Sequence, residues 1–378
     1  MLIHSAASLS WRLLAHQPAR LATSVAGVGF ALLLMILQLD FRNALLDSST
    51  ELLRQIDADI LVIDKGKRPF LGRDTMPAQR LYQSLAIEGV AAAYPMWLDL
   101  LFWKNLEDGV ERPIRVIGFR AGDPVFLVDE INEAAPMLRT RGAALIDSRS
   151  RRDYGRIESG PAQVARREIQ IVGTFPLGTD FEVDGNLIVG EDTYFTLSSQ
   201  TRQVVELAVL KTADDRDPAA IVAALEAALP GDVSVFTKAA LLERDLEFWR
   251  RGTPLSVILL VGVVLGFAVG VVICYQILYT DVLDHLAEFA TLKAMGYGDG
   301  YIRIVVIIEA WALSVLGFLP SVFVGASLQQ LLGVLTGLPV RFSWLGIGIV
   351  LLLSLGMCTA AGIFALRRTT TLDPAELF

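Results

Sequence analysis

The sequence predicts a membrane α-helical protein with four transmembrane helices and one large α+β extracytoplasmic domain inserted between the first and the second. Two observations carry that expectation. Residues 41–252 hold 26 of the 33 Lys and Arg and 33 of the 41 Asp and Glu in a chain of 378 residues. The flanks are mostly apolar, with one long uncharged run before the block and three apolar runs after it. Backbone polar groups find no water in hydrocarbon, so each run of roughly 20 residues is expected to cross as a helix.

The first span is read at 21–40, through Leu21–Leu39. Before it, residues 1–20 form a cytoplasmic amphipathic N-terminus. Leu9, Trp11, Arg12, Leu13, Leu14 and His16 suit a short helix along the inner leaflet, with Arg12 and Arg20 near anionic headgroups. No small-residue cleavage site follows the apolar run, which continues into Asp40-Phe41-Arg42-Asn43, so the span is expected to stay uncleaved.

Inside the block, 41–56 reads as a helical stalk carrying Leu45, Leu46, Leu52, Leu53 and Ile56 at helical spacing. Strands are expected at 58–64, 91–104, 112–120, 143–147, 168–175, 186–189, 204–211 and 233–236. A helix is expected over 77–87 with Pro77 in its first turn, and another from an Asp217 cap followed by Pro218. A last helix, 238–250, leads into the second span.

That span is read at 253–279, followed by a short loop and helix over 280–300. The third apolar segment, 301–338, is too long for one simple crossing at about 1.5 Å per residue. Pro320 supplies no N–H to the helix ladder, so a kink is expected there, with the span at Ile302–Gly325 and an emergent helix beyond it. The fourth span is 342–366, and 367–378 is a cytoplasmic tail. Arg12, Arg20, Lys293, Arg303, Arg367 and Arg368 lie at the ends and loop assigned to the cytoplasm, which puts 41–252 on the other side.

Several kinds of chemistry are missing. There is no G-x-x-x-x-G-K-[ST], no H-E-x-x-H and no G-x-S-x-G. His4, His16 and His285 are scattered, so no metal site is expected, nor any cofactor. Both cysteines, Cys274 and Cys358, fall in spans, leaving the external domain to rely on its core. The net charge of −8 lies mostly in that domain and speaks for solubility, not for nucleic acid. The expectation is a non-enzymatic membrane subunit.

Three features stand out. In the 280–300 loop, Leu283, Leu286, Ala287, Ala290 and Leu292 fit a short amphipathic helix that Gly296 and Gly298 would end. Asp281, Asp284, His285 and Glu288 would then point to the cytosol, on either a plain interfacial connector or a docking element. Span two carries Gly262, Gly266 and Gly270, a doubled G-x-x-x-G suited to close packing against span one of the same or a second subunit. Glu309 lies inside span three, where a carboxylate needs a partner such as Gln276 or Lys293. It is read as a hydrogen-bonded structural acid, with proton coupling as the sharper alternative.

Three stretches then carry a resemblance: residues 9–63, residues 271–310 (VVICYQILYTDVLDHLAEFATLKAMGYGDGYIRIVVIIEA) and the ending LDPAELF at 372–378. Together they resemble the permease subunits of type VII ABC exporters, nearest to DevC-type permeases and related to the MacB and FtsX permeases. The resemblance implies a homodimer of permeases paired with two separate cytoplasmic ABC ATPase subunits. It implies that 280–300 is the coupling helix, with Asp281, Asp284, His285, Glu288 and Lys293 at the ATPase contact. It also implies mechanotransmission to an external domain that engages a membrane-fusion adaptor and a TolC-like outer-membrane channel, for export of a lipid, glycolipid or other hydrophobic cargo. The alternative is an FtsX-like permease that transports nothing and regulates a periplasmic hydrolase.

Overall fold

In a computed structural model the described residues are 9–11, 17–155, 158–213, 216–336 and 343–369. The chain divides into two compact units, one built on the sequence up to Asn43, Val257–Leu331 and the C-terminal helix, the other on Ala44–Ser256 together with the end of the third long helix from Leu332.

The first unit is a bundle of four helices long and apolar enough to cross a membrane: Pro18–Gln55, Pro254–Asp284, Asp299–Thr336 and Trp344–Thr369. Its core draws Val28, Leu32 and Met35 from the first, Cys274 and Leu278 from the second, Ala310 and Leu313 from the third and Met357 and Ala361 from the fourth. Side-chain hydrogen bonds tie the helices together where apolar packing alone is weak. Ser314 and Ser354 share a hydrogen bond of 2.5 Å. Ser321 Oγ donates to the Gly29 carbonyl at 2.8 Å, and Gln329 donates to Asp40.

The helices do not end where apolarity ends. The first is a single rod from Pro18 to Gln55, so expected span and stalk are one element, with the unit boundary inside it at Asn43/Ala44. The second continues five residues past the apolar run, to Asp284. Pro320 does not end the third helix, which runs unbroken to Thr336. Residues 337–342, with Arg341, lie outside the described residues, as do most of the amphipathic N-terminus and the ending 372–378.

The second unit is a mixed sheet with helices on both faces. Its strands are β1 (Ile60–Asp64), β2 (Met76–Pro77), β3 (Val90–Lys104), β4 (Glu111–Phe119), β5 (Ala143–Asp147), β6 (Gly160–Val164), β7 (Arg167–Phe175), β8 (Asn186–Gly190), β9 (Val204–Val205), β10 (Leu207–Thr212) and β11 (Val233–Thr237). Nine of them form one sheet in the order β11-β1-β10-β3-β4-β8-β5-β7-β6, while β2 and β9 pair separately. The β4–β8 and β5–β7 pairs are parallel and the others antiparallel.

β1 shows why the sheet needs cover on both sides. Alternate side chains of a strand point to opposite faces. Leu61 and Ile63 enter a core shared with Leu52, Leu53, Phe70 and Leu241, whereas Ile60 and Val62 enter one shared with Leu81, Tyr194, Ile221 and Leu225.

Two local expectations change. The 77–87 helix shrinks to Gln79–Ser84, because Pro77 pairs with Val204 in a ladder and the Ala78 N–H donates to the Gln203 carbonyl. Proline tolerates such an edge position, where its missing N–H costs nothing. The 238–250 helix is α-helical to Glu247 and closes with a π turn over Phe248–Gly252. The short helices Asp129–Ala134 and Glu191–Leu197 and strand β6 fall between the elements expected from sequence. The Asp217 cap forms as expected, accepting from the Ala219 N–H at 3.0 Å.

Two buried polar groups in this unit gather several partners each. Asp147 accepts from the Arg149, Leu177 and Gly178 N–H groups at 3.0, 3.1 and 2.8 Å and from Asn186 Nδ2 at 2.9 Å. Arg115 bonds Asp180 and reaches Glu182 at 3.3 Å. Burial pushes the Asp147 carboxyl above its ordinary range, and those four donors oppose the shift.

Candidate functional site

The site is built where span two becomes the loop helix, within the bundle unit. The Pro254–Asp284 helix stops at His285, whose backbone (φ −103°, ψ 15°) leaves the α region. A second helix, Leu286–Ala294, begins at once, and the Phe289 N–H bonds the His285 carbonyl at 3.0 Å. Gly296 then turns at φ 93°, a left-handed conformation that costs glycine little, and the Tyr297 N–H returns to the Leu292 carbonyl at 3.1 Å. Asp299 opens span three and holds Lys293 at 2.7 Å.

The loop helix is anchored on one side. Phe289 is buried among Val282, Ile302, Val305, Val306 and Leu366. On the other side Asp284, Glu288 and Lys293 are exposed to solvent. Asp281 and His285 are not: both are buried, turned into the bundle and away from the solvent into which the sequence reading projects them. The reason is the helical period. Cys274, Leu278, Asp281, Val282, His285 and Phe289 make one stripe at three- and four-residue spacing, and every member is buried. The stripe is present in the sequence, although the polarity of two members hides it.

Around Asp281 and His285 the bundle collects charge. Arg20, near the start of span one, bonds Asp284 through Nη1 at 2.5 Å and lies 3.5 Å from Asp281 through Nη2. This is not the lipid-headgroup role expected of Arg20, because a sequence separation of 264 conceals the pairing. His285 Nδ1 sits 2.9 Å from the Asp281 carbonyl and 3.7 Å from its carboxylate. Glu309 completes the cluster from span three, only 1% exposed. It lines one cavity with Asp281 and Arg20, and neither of its oxygens accepts a hydrogen bond from a donor group. Neither expected partner serves it: Gln276 is exposed and Lys293 is bound to Asp299. A cavity of 20 Å³, lined by Arg20, Ser24, Asp281, His285 and Glu309, lies between these groups. That is space for about one water molecule.

Among the described residues no three His, Cys, Asp or Glu converge as metal ligands. Cys274 and Cys358 are buried and unlinked.

The glycines of span two face span one and span four. A Cβ at Gly262 would meet Gln38 at 2.6 Å, one at Gly266 would meet Met35 at 2.9 Å, and one at Gly270 would clash with Met357 Sδ and meet Ala31 at 3.1 Å. Only glycine allows so close an approach.

Residues 258–374 match the FtsX-like permease C-terminal family. No curated protein matches the chain. Among solved structures, the periplasmic region of MacB from Actinobacillus actinomycetemcomitans aligns at 10% identity and a TM-score of 0.35, over 50% of this chain and 94% of that one. The extracellular domain of the noncanonic ABC-type transporter YknZ from Gram-positive bacteria aligns at 9% and 0.32, over 48% and 99%. A permease-protein domain from Porphyromonas gingivalis aligns at 15% and 0.31, over 48% and 86%.

Proposed function

We propose, for a multi-pass membrane chain that carries an FtsX-like permease C-terminal domain, the role of permease subunit in a mechanotransmission-type ABC exporter. ATP is hydrolysed by a separate cytoplasmic ABC ATPase dimer, and the chain itself catalyses nothing. It sits as a homodimer in the bacterial inner membrane with both termini in the cytoplasm and residues 41–252 in the periplasm. A membrane-fusion adaptor and a TolC-like channel complete the path for a lipid, glycolipid or other hydrophobic cargo.

One observation carries this reading: the helix Leu286–Ala294 lies within the FtsX-like region, anchored by Phe289 and presenting Glu288 and Lys293 outward. A short helix fixed on one side and charged on the other suits a protein groove. Span one runs as one helix from Pro18 to Gln55, and Leu52 and Leu53 at its end are buried in the core of the second unit. Span two has only 22% of its most apolar stretch buried, the smallest share of the four, which leaves a face for lipid or a second copy. Asp281 and His285 act in this scheme from inside, by holding the start of the loop helix.

The test is co-purification from native membranes together with Glu288→Arg. Recovery of an ATPase and an adaptor supports export, whereas an ATPase with a murein hydrolase supports an FtsX-like regulator. Glu288→Arg should abolish coupled ATP hydrolysis with the bundle intact. Unchanged coupling would remove the loop helix from the contact.

A further inference from the structure

Glu309 is the only described carboxylate with both oxygens buried and unpartnered. Span three's backbone donors are spent inside the helix, so only side chains, water or a bound positive charge can satisfy it. Besides the neutral Gln17 and Ser24, the charged and titratable groups at the cavity are few. Span one brings Arg20, the end of span two brings Asp281 with Asp284 beside it, and the junction brings His285. Cys274 of span two and Cys358 of span four are buried in the same core as unlinked thiols.

Arg20 is already committed to Asp284 and Asp281. Three carboxylates therefore share one guanidinium, and once Arg20 is matched to Asp284 two negative charges are left, on Asp281 and Glu309. Two carboxylates facing each other in a low-dielectric pocket cannot both stay ionised. A hydrated ion does not fit 20 Å³, and no set of metal ligands converges there. We propose that Asp281 and Glu309 form a binding site for a single proton, held between the two carboxyl groups at the junction of span two and the loop helix.

The occupied site joins spans two and three through a carboxyl O–H donated to the facing carboxylate. Release of the proton to water leaves two like charges across a one-water cavity, and these repel. Asp281 lies one turn before the loop helix, and its carbonyl accepts from the His285 N–H at 3.2 Å. Proton occupancy would thus set the position of Leu286–Ala294. This goes beyond the permease reading, and its test needs no ATPase.

The experiment is infrared spectroscopy of the full chain in lipid nanodiscs, in H₂O and ²H₂O. A protonated-carboxyl C=O band is expected at neutral pH. It should disappear in Glu309→Gln, which keeps the side-chain shape, and shift in Asp281→Asn, with helix content by circular dichroism unchanged. As pH rises the band should titrate away as one proton. Absence of the band at neutral pH, or its persistence in Glu309→Gln, overturns the proposal. So does its removal by Na⁺, K⁺ or Mg²⁺ at constant pH, which would make the occupant a metal cation. If Glu309→Gln fails to fold, the Asp281→Asn shift decides alone, and an unmoved band rejects the shared proton.

Discussion

Buried carboxylates fare differently in the two units of this chain. In the external domain Asp147 accepts four hydrogen bonds, three of them from backbone N–H groups. Asp245 accepts from the Phe70 N–H at 2.7 Å, and Glu206 from the Leu98 N–H at 3.1 Å. In the helical bundle Glu309 accepts none. The cause is where backbone donors remain free. Loops and strand ends leave N–H groups unspent, and an α+β domain can aim them at an acid. A transmembrane helix consumes its own. A buried acid in such a bundle must look to side chains or to a proton, which suits it to a switch better than to a staple.

The largest expected effect breaks the comparison from the external side. Asp147→Ala leaves four buried donors unpaired at once. It should destabilise that unit by about 4 kcal/mol, since each orphaned group costs roughly 1–3 kcal/mol and the site relaxes in part. Denaturant unfolding followed by Trp fluorescence reads it. A loss below about 1 kcal/mol would mean that water replaces the carboxylate.

On the membrane side, Gly266→Leu should cost about 2 kcal/mol by overpacking against Met35, seen as a lower thermal midpoint in detergent. An unshifted midpoint would show that spans one and two are free to move apart.

Asp245 sharpens the contrast through pH. Burial raises its carboxyl from 3.8 to about 6, against the Phe70 N–H that lowers it. The folded state therefore binds more protons than the unfolded chain between those values. Its contribution is fully present below 3.8 and is lost as pH rises through about 6. Asp245→Asn should flatten that part of the pH–stability profile and gain on the order of 1–2 kcal/mol at neutral pH. An unaltered profile would count against burial as the cause.

The smallest effect is expected of Lys293→Ala. Its ion pair with Asp299 is half exposed on both sides, so stability should change by less than about 0.5 kcal/mol. Coupled ATP hydrolysis should nonetheless fall, which separates a contact residue from a structural one.

Much of the architecture is legible in the chain. Charge segregation and run length mark four crossings and one inserted domain, because solvation of charge and of backbone is a local property. The Asp217-Pro218 helix start and the strand Ala143–Asp147 are equally local. What the tertiary structure alone decides is which polar groups meet. Arg20 joins Asp284 across 264 residues, and Glu309 reaches Asp281 from another helix. Periodicity names the face on which a side chain lies. The neighbour waiting there is fixed by how four helices pack, and no local stretch of sequence encodes that packing.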